Sequence, residues 1–309
     1  MKLRVMSPAE WPTLAAFLHK NNVTPALCLH SQTGDSVAAY RAELAALPHD
    51  EACFVVCEAD AGAGYAGVMA AEFSVESKRA WLRGPVLDST LPDSVADPLR
   101  DALWDQLHAT LPATIKRLDG FLEVGHQSGL DWYRSRGFIE QPRYFIYEAA
   151  RGESLPSMPQ SVQAATASQH ASLLELAHLV FPTGYLTATE LTASNNNQHA
   201  LFVIAVGDSV DGYVYANIIN PTTDDAEVYV DYLVVRPEAR GRQLGRTLLR
   251  AALSWGFAER NVPKAALSVA ADNANAQSLY GSVGFRLTTT GVPMRRDSVA
   301  HGSETIHTR

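Results

Sequence analysis

Apolar positions along the 309-residue chain form two successive series of elements in the same order. In the second half, Leu201 to Val206 and Val210 to Ile219 read as paired strands, and Glu227 to Val235 alternates as a third. Beyond Gly245, Leu248, Leu249, Ala252, Leu253, Trp255 and Phe257 recur every three or four residues, which predicts a helix running to Glu259. A strand, Leu267 to Ala270, then leads into a short helix. Asn273 or Asp272 is placed to cap that helix and Gly284 to end it. The first half repeats the pattern: strands Cys53 to Glu58 and Tyr65 to Val75, a helix Val95 to Thr110, a strand Phe121 to Val124 and a short helix. Its WYRSRGF, Trp132 to Phe138, matches LYGSVGF, Leu279 to Phe285, 147 residues later. A first strand and a helix opening at Ser7 and Pro8 are expected at the N-terminus.

Between Leu233 and Arg246 the sequence LVVRPEARGRQLGR joins a strand to a helix through a basic turn. Helix N-termini carry unpaired N–H groups and about half a positive charge from the dipole. Arg236, Arg240, Arg242, Arg246 and Arg250 crowd this junction in a chain of net charge −8. A phosphate ligand is the reading this local reversal of sign favours. The alternative is a solvated βα turn.

The two motifs of the second half resemble the GNAT N-acetyltransferase superfamily. Its acetyl-CoA signature, Gln/Arg-x-x-Gly-x-Gly/Ala, is met by Arg240, Gly241, Arg242, Gln243, Leu244 and Gly245, with Gln243 in place of the first glycine. The later Asn-x-x-Ala-x-x-x-Tyr-x-x-x-Gly-Phe pattern is met by Asn273, Ala276, Tyr280, Gly284 and Phe285. The resemblance implies an α/β (α+β) chain of two tandem GNAT-like folds, each a mixed, mostly antiparallel sheet flanked by helices. A degenerate domain is expected over 1–150 and a catalytic one over 161–296. The Pro- and Ser-containing segment 151–160 reads as linker and 297–309 as a polar tail.

What the resemblance implies chemically is acetyl transfer from acetyl-CoA, as co-substrate, to a primary amine by direct attack in a ternary complex. Backbone groups from Arg240 to Arg246, with the arginine side chains, would hold the pyrophosphate. The amide of Leu233 would bond the thioester oxygen, and Val234 and Val235 would flank the pantetheine arm. Tyr280 resembles the family's proton donor to the departing thiolate, and Asn273 would cap its helix, contact cofactor, or both. Strand alternation puts Glu227, Tyr229, Asp231, Leu233 and Val235 on one face. Asp231 and Glu227 are therefore candidates to take the amine proton, or else solvent-facing carboxylates. Tyr229 stands where many relatives carry a catalytic glutamate.

The first half lacks the anion site. Residues 86–100 contain no glycine, two donor-less prolines (Pro92, Pro98), and Asp88, Asp93 and Asp97, which repel phosphate. His126 stands in the place of Asn273, and Tyr133, in the place of Tyr280, reads as core or interface. The three cysteines, Cys28, Cys53 and Cys57, show no metal spacing, and none lies in the second half, so an acyl-cysteine route there is unfavoured. His170, His178 and His199 lack paired-ligand spacing, and no metal is expected. Reduced thiols and the absence of a leader-like or membrane-spanning stretch point to the cytoplasm. The acidic balance argues against nucleic acid and suits a small cationic amine, as monomer or homodimer. Phe181 and Tyr185 are candidate acceptor walls, as are Tyr213 and Tyr215. The rival readings are a protein or peptide amine acetyltransferase, and a non-catalytic acyl-CoA-binding regulatory protein.

Overall fold

The computed structural model describes residues 2–21, 36–59, 64–181, 191–192, 196–221 and 226–297. Its contacts divide into two compact units. The first comprises Met1–Arg143 with Thr290–Arg309, and the second Tyr144–Thr289.

In the first unit β1 (Lys2–Val5), β2 (Ala52–Glu58), β3 (Tyr65–Ser74) and β4 (Arg79–Leu87) form an antiparallel run. Next comes β5 (Arg117–Glu123), parallel to β4 over only three residue pairs, Arg79↔Arg117 to Trp81↔Asp119. Ser7 opens the chain's first helical stretch as expected, with its N–H and hydroxyl both donating to Glu10. That stretch begins as a tight 3₁₀ turn, Pro8–Leu14, before α1 (Ala15–Asn21), because Pro12 removes an α-helical donor inside it. Helices α2 (Val37–Ala46), α3 (Asp93–Thr110) and α4 (Gln127–Ser135) complete the unit. Its core is built around Trp11, Phe54, Met69, Leu103, Leu107 and Tyr133.

The second unit repeats this order. Strands β8 (Gln163–Ala164), β9 (His199–Val206), β10 (Ser209–Ile219) and β11 (Glu227–Val235) run antiparallel, and β12 (Lys264–Ala270) pairs parallel with β11 from Glu227↔Lys264 to Tyr229↔Ala266. Helix α5 (His170–Val180) packs Leu173 and Leu176 on one sheet face. Helix α6 (Leu244–Leu253) buries Leu248, Leu249, Ala251, Ala252 and Leu253 on the other. The periodic stretch to Glu259 does not stay α-helical. Ser254–Glu259 widens into a π-turn that seats Trp255 and Phe257 in the core and lays Gly256 on Val228, where an added Cβ would come within 2.6 Å. Helix α7 (Ala274–Gly281) follows β12.

The last strand of each unit comes from the other half of the sequence, so the units do not coincide with the expected spans 1–150 and 161–296. β7 (Tyr144–Ala150), which follows the first half's short helix and the two-residue β6 (Ile139–Glu140), pairs antiparallel with β12 of the second unit. β13 (Arg286–Asp297) sends Gly291–Asp297 antiparallel along β5 of the first unit and also pairs with β6. Sequence periodicity gives each strand's existence but not its partner, so the exchange has no local signature. Among the described residues no helix is long and apolar enough to cross a membrane.

Candidate functional site

The second unit's site begins at a β-bulge. Tyr215 opposes Tyr232 while Ala216 opposes Val230, which leaves Asp231 as the extra residue on β11. A bulge turns the side chains that follow it to the opposite face. Val228 and Val230 pack toward α6, as do Leu233 and Val235, whereas Tyr232 and Val234 pack toward α5. The expected single face of Glu227, Tyr229, Asp231, Leu233 and Val235 is therefore broken. Leu233 and Val235 lie on the α6 side, away from the three polar residues.

The same bulge coincides with the end of pairing between β11 and β12. Beyond Tyr229 the two strands part. The Arg236 N–H bonds the Asp211 carbonyl on β10 at 2.8 Å. Alternation along an antiparallel ladder then turns the N–H groups of Val234 and Tyr232 toward β10, and those of Leu233 and Val235 into the opening.

A cavity of about 620 Å³ fills that opening. Leu233, Val234 and Val235 form its strand wall, and Arg240, Gly241, Gln243, Leu244, Gly245 and Arg246 its floor at the start of α6. Asn273, Ala276 and Tyr280 close it from α7, together with Asn275, Ser278 and Leu279, which lie between the motif positions. Gly245 lets the helices meet: a Cβ there would lie 3.2 Å from Leu279. Gly241 holds φ +80° and Gln243 φ +61°, both left-handed. The family's glycine preference at position 243 thus has a backbone cause, and Gln243 adopts the strained conformation itself. The Gln243 side chain turns toward Arg246, accepting from its Nη1 at 3.3 Å.

No side chain caps the N-terminus of α6. Arg246 lines the cavity, and its Nε is buried without a hydrogen-bond partner. Arg240 donates to the Val235 carbonyl at 3.4 Å. Two other arginines of the turn serve the scaffold. Arg242 pairs with Asp211 at 3.2 Å and does not line the cavity. Arg236 donates to the Val210 carbonyl and pairs with Glu175 at 3.5 Å.

Asn273, rather than Asp272, caps α7, its Oδ1 accepting from the Ala276 N–H at 3.2 Å. Tyr280 is 8% exposed, and its hydroxyl has no hydrogen-bond partner among the described residues. Burial, with a smaller contribution from Tyr229, pushes its pKa up to about 12. Asp231 and Glu227 are not among the residues lining the cavity. Asn217, oriented with its amide nitrogen toward β11, donates to Asp231 Oδ2 at 3.3 Å and to the Tyr229 carbonyl at 3.1 Å. Glu227 is buried against Lys264 at 3.5 Å. Phe181 lines the cavity and packs edge-on against Tyr232, while Tyr185 lies outside the described residues. His199 is half-buried, and its Nδ1 and the Tyr215 hydroxyl are 2.9 Å apart.

The corresponding place in the first unit holds a smaller cavity of about 390 Å³, lined by Asp88, Asp93, Asp97, Arg100, His126 and Tyr133 among others. Pro92 and Asp93 open α3 where arginines open α6. His126 caps α4 as Asn273 caps α7, through Nδ1 and the Gly129 N–H at 3.2 Å. Tyr133, the counterpart of Tyr280, donates its hydroxyl to the Gly84 carbonyl at 2.7 Å and is fully buried. The two tyrosines occupy equivalent sequence positions in opposite states, one hydroxyl bonded to the Gly84 carbonyl of β4 and the other without a partner among the described residues.

Residues 170–285 match the family described as Acetyltransferase (GNAT) family. No curated protein matches the sequence. A GCN5-related N-acetyltransferase from Sphaerobacter thermophilus has a similar fold, with a TM-score of 0.68 at 18% identity over 96% of this chain and 95% of that one. A tandem GNAT protein from the clavulanic acid biosynthesis pathway gives 0.67 at 14% identity over 97% of this chain and 100% of that one. A putative acetyltransferase from Pyrococcus horikoshii gives 0.58 at 13% identity over 96% and 89%. The family match covers residues 170–285, in the unit that carries the cavity, and the fold likeness spans both halves: the second half matches the GNAT acetyltransferase family, and the whole chain shares its fold with a tandem GNAT protein.

Proposed function

We propose that the second unit transfers an acetyl group from acetyl-CoA to a primary amine on a small molecule by direct attack in a ternary complex. The observation that carries this is the cavity at the parted strands, where an uncapped helix N-terminus and the orphaned Arg246 Nε converge. A buried guanidinium nitrogen with no partner calls for an anion, and a pyrophosphate meets that need together with the first N–H groups of α6. Arg240 and Arg246 would bind the phosphates. Acetyl-CoA supplies an activated acyl thioester when bound.

The residues of the opening divide the remaining work. The Leu233 N–H points into the gap and is placed to bond a carbonyl oxygen as charge develops on it. Asp231 stands beside the opening on the opposite sheet face, and we assign it the amine, as proton acceptor or anchor. Glu227, held by Lys264, lies farther along the strand and would act only on the field. The Tyr280 hydroxyl keeps its proton throughout the neutral range. Burial also makes that proton harder to surrender to a departing thiol, whose ordinary pKa is ~8.5. Tyr280 is accordingly a hydrogen-bond donor to that sulfur rather than an independent acid.

Calorimetric titration with acetyl-CoA tests the reading. One site per chain, abolished in Gly245→Trp, is the expected result. Two sites would return acetyl-CoA binding to the first unit, and no binding would leave the second unit without its co-substrate.

A further inference from the structure

The two units carry the same sheet with opposite charge on the face turned away from α3 and α6. Register fixes the equivalence. The parallel pair Arg79↔Arg117 in the first unit occupies the place of Glu227↔Lys264 in the second. Arg295, opposite Asp119, likewise occupies the place of Glu148, opposite Ala266. Three arginines with Asp119 and Asp297 thus replace two glutamates and a lysine, and the sign inverts.

The arginines converge on one carboxylate. Asp119 is 8% exposed. Its Oδ2 accepts from Arg79 Nε at 2.6 Å and Arg117 Nε at 2.7 Å, and its Oδ1 from Arg295 Nε at 3.1 Å and Arg117 Nη2 at 3.1 Å. All three cations bond the one Asp119 carboxylate, each arginine side chain about a third exposed, with Asp297 opposite Arg117 as the second carboxylate of the face. Both terminal nitrogens of Arg79 and both of Arg295 are left with no hydrogen-bond partner among the described residues. Beside them Trp81 is exposed to 38%, with the Arg79 guanidinium 4.6 Å from its ring centre. Arg79 is held below its usual pKa first by burial and also by the charges of Arg117 and Arg295, so the cations crowd one another. Guanidinium groups with free forked donors, beside an aromatic surface, suit an oxyanion attached to an apolar body.

We propose that this face of the first unit is a second small-molecule site, in which Arg79, Arg117 and Arg295 bind the phosphate or carboxylate of an anionic ligand and Trp81 packs against its body. The site is separate from the acetyl-CoA cavity and stands whether or not acetyl transfer is the activity of the second unit.

Titration of the full chain with inorganic phosphate and, separately, citrate at constant ionic strength tests the proposal and distinguishes the two oxyanions. Wild type binds at least one of them. Because Arg246 is assigned to phosphate in the other cavity, the comparison is made on an Arg246→Gln background: the anion still binds there, and adding Arg79→Gln/Arg295→Gln weakens that binding by roughly tenfold or more, the loss of a charged hydrogen bond. Because removing two arginines strips partners from Asp119, Asp119→Asn provides a second arm. It frees all three guanidinium groups, so the same anion binds more tightly than in wild type and raises the Tm of the variant more than an equal ionic strength of chloride does. Equal affinity with and without Arg79→Gln/Arg295→Gln on the Arg246→Gln background overturns the proposal. So does loss of the signal in Arg246→Gln alone, or an Asp119→Asn variant that responds to phosphate and citrate no more than to chloride.

Discussion

Two residues at equivalent positions, Tyr280 and Tyr133, illustrate what decides chemistry at this scale. Both are phenols on a short helix, both are buried, and both have raised pKa values. Only the partner differs. Tyr133 donates to the Gly84 carbonyl, so Tyr133→Phe removes a buried hydrogen bond and is expected to cost about 1–3 kcal/mol of stability, read by denaturant melting. Tyr280→Phe removes no bond to the described protein. Its expected effect is a fall in kcat of about a hundredfold with little change in the KM for acetyl-CoA. Sequence marked Tyr133 as core or interface but not its bond, since both tyrosines satisfy Tyr-x-x-x-Gly-Phe and the Gly84 carbonyl lies 49 positions away. His126 adds a pH effect. Burial, with Arg100 adding to it, lowers its pKa to about 4. The unfolded chain therefore binds a proton near pH 6.5 that the folded one refuses. Stability is complete above that pH and is lost as pH falls toward 4, by up to about 3 kcal/mol. Melting temperatures of wild type and His126→Asn between pH 7 and 4 should converge toward the acid end if this residue dominates the window.

At the level of elements, the strand β11 and the turn into α6 show how far a motif can be read. The arginine-rich turn, the glycines and the helix start were all legible, because a left-handed turn and a close helix approach demand particular residue types. The bulge at Asp231 was not. It changes no residue type, yet it reverses the face of everything after it and so separates Asp231 from Leu233 in a way that strict alternation forbids. Gln243 is the position where motif and strand physics meet. Its φ of +61° disfavours a side chain, so Gln243→Gly should relieve strain by about 1 kcal/mol and raise the melting temperature. The side chain leans on Arg246 rather than crossing the cavity, so calorimetric affinity for acetyl-CoA in the same variant should not fall.

For the whole molecule, the tandem order of elements was readable from the 147-residue repeat, and the ownership of the last strands was not. A cut at the apparent linker, giving fragment 161–296, removes Tyr144–Ala150 from beside β12 and exposes its edge. Fragment 144–289 keeps that strand. It should therefore give the sharper thermal transition of the two and retain acetyl-CoA binding by calorimetry, whereas 161–296 should aggregate or bind weakly.

The exchanged strands also impose an order on synthesis. Residues 291–297 are the partner of β5, whose own residues leave the ribosome some 170 positions earlier. The first unit must wait, with one edge of its sheet open, until the second half has been made, although its own sequence came first. Pairings this distant are slow to close and leave the nascent chain exposed to mispairing in the meantime. Two folds that look from the sequence as if made one after the other are thus closed in reverse order, the first receiving its last strand only after the second has been made.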